Sequence, residues 1–113
     1  MKLMIFVLNN IDKLDPFIHR LKEAGIKGAT ILNSTGMGRR LIENDDLGYD
    51  LIGSLRALLD NPRAESRLIL MALEDAQVAV VADIIDELAG DLSKPNSGIC
   101  FTLPIDFIKG YKK

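Results

Sequence analysis

Two arginines, Arg39 and Arg40, leave a Gly36-Met37-Gly38 turn that closes a strand-like run from Gly28 to Ser34. Among all stretches of the chain, this one has residue types and spacing suited to chemistry, and the chemistry is anion binding. Glycines let backbone N–H groups approach a phosphate closely. An arginine fork then holds the same group at two points. The pattern has a plainer use, since a Gly-x-Gly turn also ends a strand. Exposed arginines also pair with acids, here Glu43 and Asp45.

Nucleophilic and metal chemistry find less to work with. His19 is the sole histidine and lies between Ile18 and Arg20, a helix-surface setting. Zinc needs three or four ligands, and nothing near His19 or Cys100 supplies them. Cys100 is the sole cysteine, so no intrachain disulfide forms, and within an apolar strand it should act as a small hydrophobe. An activated nucleophile needs an adjacent base. Asp83, Asp86 and Glu87 read as a solvated helix face. The sequence therefore assigns no catalytic residue and no metal ligand, and predicts a protein that is not an enzyme.

Composition sets the frame for these residues. The chain has 113 residues, enough for one domain with a modest core. Apolar residues make up 48% and the formal net charge is -2, which gives no overall positive field for nucleic acid. Met1 to Leu8 reads as a buried strand rather than a signal peptide. The longest apolar run falls far short of the roughly 18 residues a membrane span requires. A soluble, cytoplasmic protein is predicted.

The elements that must position the arginines follow in order. Leu3 to Leu8 is a continuous apolar run of strand length. Leu14, Phe17, Ile18 and Leu21 then recur at helical spacing, with Asp15-Pro16 as cap and first helical residue, Asp12 as an earlier alternative cap, and Gly25 as the stop. Gly28 to Ser34 is the second strand. From Arg39 to Arg67 patterning fades, except that Leu51, Ile52, Leu55, Leu58 and Leu59 outline a short amphipathic helix. Leu68 to Leu73 is the third strand. Glu74-Asp75 opens a helix with Val78, Val81, Ile85 and Leu88 on its buried stripe and Gly90 at its end. After a turn-rich loop, Ile99 to Leu103 is the fourth strand, and Ile105 to Lys113 is a short basic tail.

The order βαβ-connector-βαβ predicts an α+β, ferredoxin-like sandwich: a four-stranded antiparallel sheet with both helices on one face. Right-handed crossovers leave room in each half for a strand of the other. Strands this apolar predict that the helix-free face is covered too, most simply by other subunits.

The sequence resembles the PII signalling proteins, the trimeric nitrogen-regulatory family and its PII-like relatives. Lys13-Leu14-Asp15, Gly28-Ala29-Thr30, Gly36-Met37-Gly38-Arg39, Ile84-Ile85, and Gly98 with Phe101 carry the resemblance over nearly the whole chain. It implies one PII-like domain over 1–113, a homotrimer, and a T-loop-like connector over 37–66. It also implies a cleft between subunits for an adenine nucleotide or another small effector. Thr30 would face the base; Gly36, Met37, Gly38, Arg39 and Arg40 would border the phosphates; Arg67, Gly98 and Lys109 would complete the cleft. Tyr49, Leu51 and Leu55 would meet a protein partner such as a transporter or enzyme. Three departures remove triphosphate contacts. The second phosphate loop reads Asn96-Ser97-Gly98-Ile99 without its lysine, the third strand enters through Glu65-Ser66-Arg67, and Lys109, Lys112 and Lys113 replace a C-terminal arginine pair.

Two competing readings share this architecture. One is a structural or metal-handling trimer of the CutA type, without nucleotide binding. The other is a small hydrolase like acylphosphatase, since fold does not fix function.

Overall fold

The structure, a computed structural model, describes residues 1–35, 66–94 and 97–112. Strand β1 runs over Lys2–Leu8, a 3₁₀ turn over Ile11–Lys13, helix α1 over Leu14–Glu23 and strand β2 over Thr30–Ser34. Strand β3 follows over Ser66–Leu73, helix α2 over Asp75–Ala89 and strand β4 over Gly98–Pro104. The expected helix at 51–59 lies outside the described residues.

The four strands form one antiparallel sheet in the order β2-β3-β1-β4. Each half lends a central strand to the other, as the crossover rule predicts: β3 sits between β1 and β2, and β1 between β3 and β4. Burial alternates along the two central strands. Met4, Phe6 and Leu8 of β1 and Ile69, Met71 and Leu73 of β3 are buried against Phe17 and Leu21 of α1 and Val81, Ile84 and Ile85 of α2. Each such side chain contributes roughly 1.5–3 kcal/mol on leaving water. Phe6 and Phe17 meet edge to face with ring centroids 5.3 Å apart, a favoured aromatic geometry.

The opposite face is different. In register across the sheet it carries Leu32, Leu68, Val7 and Ile99, then Leu70, Ile5 and Phe101, then Ala72, Leu3 and Leu103. Among the described residues no helix lies over these side chains, and Leu32, Ile99, Phe101 and Leu103 are each about half exposed, at 44–56%. The expectation of strands apolar on both faces is met, and the described elements of the chain cover only one.

Local signals explain the helix ends, with one correction. Neither Asp15 nor Asp12 caps α1. Asn10 caps the preceding 3₁₀ turn, its side chain accepting from the Asp12 amide at 3.2 Å. The 3₁₀ turn runs straight into α1, with Lys13 as its N-cap residue and no side-chain cap there. Pro16 then falls inside the first turn of the helix, where a missing N–H leaves no bond unmade. At α2 the Glu74 amide donates to Gln77 Oε1 at 2.8 Å, half of a capping box. Ile84 joins the buried stripe beside Val81 and Ile85, while Val78 and Leu88 pack at its margin.

The surface groups also resolve. His19 is exposed, with Nε2 at 2.8 Å from Glu23. Glu87 is paired across the helices with Arg20 Nε at 2.8 Å, so that acid does more than meet solvent. Cys100 is half-buried beside the core, and burial pushes its thiol pKa up, which disfavours the reactive thiolate.

Candidate functional site

At one end of the sheet lies a groove of about 670 Å³. Its walls are the α1–β2 loop at 25–29, Thr30, Leu70 and Ala72 of β3, Glu74 and Gln77 at the start of α2, and the tail at 108–112. Local sequence explains each wall. Gly25 stops α1 with a φ of 82°, turning the chain out of the helix. Gly28 and Ala29 have weak strand preference, so the ladder begins at β-branched Thr30 rather than at Gly28. The tail leaves β4, and the Ile105 amide donates to the Met1 carbonyl at 3.2 Å. It thereby crosses below β1 and reaches the far edge of the sheet, beside β2.

The groove combines apolar and charged surface. Ile26, Leu70 and Ile108 supply the apolar part, Lys27, Lys109 and Lys112 the cations, and Glu74 a carboxylate. It can hold an anion together with a flat or apolar body. Thr30 and Lys109, two of the residues expected in a ligand cleft, both line it. Glu74, Gln77, Lys27 and Tyr111 also line it, and sequence reasoning assigned them no ligand role.

The remaining expected residues that the structure describes sit at the other end of the sheet. Arg67 and Gly98 both pair with Leu8, from opposite sides. Arg67 is half-buried, and its guanidinium donates to the Ser66 carbonyl at 3.1 Å. Gly98 adopts a φ of 117°, and a Cβ there would collide with the Val7 carbonyl oxygen. Thr30 and Ser34 are four steps apart along β2, a span of about 13 Å. Gly36, Met37, Gly38, Arg39 and Arg40 lie outside the described residues, as do Tyr49, Leu51 and Leu55, but the chain enters that segment from the Ser34 end.

A hydroxyl clip closes the β2–β3 ladder at this end. Ser34 and Ser66 are register partners, and their Oγ atoms are 2.7 Å apart. The Ser66 hydroxyl also lies 3.1 Å from the Ser34 carbonyl and has only that acceptor for its single proton if Ser34 Oγ donates. Both bonds are thus satisfied at once, one proton each. Ser66→Ala is expected to cost about 1 kcal/mol and to speed amide exchange at Asn33 and Ser34 without touching β4. Unchanged exchange at those two amides would show that the clip holds nothing.

Among the described residues no cluster of three or more His, Cys, Asp or Glu side chains is placed to hold a metal ion. Among the same residues no helix is long and apolar enough to cross a membrane.

The interleaved antiparallel sheet, the two helices on one face and the long β2–β3 connection define a ferredoxin-like α+β protein. Sequence comparison takes this further: the family model described as nitrogen regulatory protein P-II matches residues 1–111. The chain belongs to that family, whose members are regulatory signalling proteins. No individual curated protein matches it.

Proposed function

We propose that this protein is a non-enzymatic, cytoplasmic regulator. It assembles as a homotrimer, binds a small effector of the nucleotide type between subunits, and signals to a protein partner through the 37–66 connector. One observation carries the reading. The residues expected to bind the effector fall into two groups on one protomer, Thr30 and Lys109 in the groove at one end of the sheet and Arg67 and Gly98 at the other. Side chains on one strand pair cannot close that gap around a single ligand. A neighbouring protomer can, with the groove of one subunit meeting the Ser34 end of the next. The apolar sheet face that no described helix covers supplies area for such packing.

In this arrangement the Thr30 wall takes the uncharged part of the effector and the tail lysines its anion. Signalling requires that the effector bind one connector conformation more tightly than another. Thermal-shift measurements with ATP, ADP, AMP, a cyclic dinucleotide and S-adenosylmethionine test the binding step. At least one is expected to stabilise the protein, and Lys109→Ala is expected to weaken that ligand about tenfold by removing a charge-assisted hydrogen bond. No shift with any of the five would overturn the effector reading in favour of a purely structural assembly.

A further inference from the structure

We infer that Gln77 is a specificity-determining residue of the groove, donating a hydrogen bond to an acceptor on the nucleobase end of the ligand. The inference rests on the nucleotide reading above and adds a residue and an orientation to it. Gln77 lines the groove, yet its side chain is already committed at one atom. The Glu74 amide donates to Oε1 at 2.8 Å, and a side-chain amide nitrogen cannot accept from a backbone N–H, so the assignment of oxygen and nitrogen is fixed. What remains for a ligand is Nε2, which only donates.

Charge decides which part of the ligand comes here. The carboxylate of Glu74 stands next to Gln77, whereas Lys109 and Lys112 stand on the tail that forms another wall. A phosphate is repelled from the first wall and drawn to the second. The uncharged end of a nucleotide therefore faces α2, where a ring nitrogen or carbonyl can accept from Gln77 and an exocyclic amine or ring N–H can donate to Glu74. Such an acceptor beside a donor is what a nucleobase edge presents.

Two substitutions separate this role from helix capping. Gln77→Glu keeps a carboxylate oxygen for the Glu74 amide, and glutamate serves as well as glutamine in a capping box; it removes the donor. Gln77→Met removes donor and cap together without adding charge. Binding of AMP and of ribose 5-phosphate is measured by calorimetry on the wild type and both variants, at low and high salt, alongside melting temperature. Both variants are expected to bind AMP at least tenfold more weakly at either salt, while ribose 5-phosphate affinity changes less than twofold in Gln77→Met. Gln77→Glu should melt with the wild type.

AMP binding within twofold of wild type in Gln77→Met would overturn the inference and leave the effector reading intact. So would a loss confined to Gln77→Glu that salt abolishes, since that is charge repulsion alone. Equal losses for AMP and ribose 5-phosphate would place Gln77 away from the base and overturn it as well. Failure of the wild type to bind either probe would overturn this inference, whereas the effector reading falls only if none of the five ligands named above binds.

Discussion

Gly98→Ala is expected to lower the melting temperature by roughly 12 °C, the equivalent of about 3 kcal/mol for a domain of this size. Two costs add. At a φ of 117° a side chain meets its own backbone, and the new methyl must also displace the Val7 carbonyl, which is main chain on a central strand and has nowhere to go. Gly25→Ala makes the comparison internal to the protein. Its φ is 82° but nothing lies within 4 Å of a Cβ there, so only the backbone cost of about 1 kcal/mol is expected. Thermal and urea unfolding of the two variants would measure the difference. If they are equally stable, the collision at Val7 is relieved by a movement of β4, and the rigid pairing of Gly98 with Leu8 is wrong.

Phe101→Asp is expected to abolish the proposed trimer. Phe101 stands opposite Ile5, midway along edge strand β4 on the sheet face that no described helix covers, with Ile99 and Leu103 on either side. In a trimer packed on that face an aspartate would be stripped of water, a cost of several kcal/mol added to the lost apolar contact. Sedimentation should find the wild type at three times the 12.5 kDa chain mass and the variant at one. The helix side of the sheet is untouched, so the variant should still fold. Its response to the stabilising nucleotide should vanish, because the groove of one subunit no longer meets the other half of the cleft. A wild type that sediments as a monomer would remove the trimer from the proposal; a monomeric variant that binds as before would remove the cleft.

Much of the fold was legible in the sequence because period and punctuation agree. Alternating burial on β1 and β3 and helical spacing in α1 and α2 fix which faces meet, and the short crossovers fix the strand order. Errors fall where a local signal had a competitor. Asp15-Pro16 looks like a cap and first residue, but the Asn10 turn had already started the helix. Gly28 and Ala29 were read as strand, whereas they lie in a loop that borders the groove. The candidate site was legible only in part. Thr30 and Lys109 are 79 positions apart in the chain, and they share a groove because the tail crosses below β1, a path set by the tertiary contact between Ile105 and Met1. No local pattern announces that path. Gln77 showed nothing beyond its suitability for a helix start.

The strand order carries a further implication for how the polypeptide holds together. β1 shares no hydrogen bonds with β2, nor β3 with β4, so neither the first βαβ stretch nor the second owns a sheet of its own. During synthesis the amino-terminal stretch must wait for β3 before its strands find partners. A cut between 36 and 65 should leave two fragments clasped by all three strand ladders, β1–β3, β1–β4 and β2–β3, and separately expressed halves should reconstitute each other on mixing.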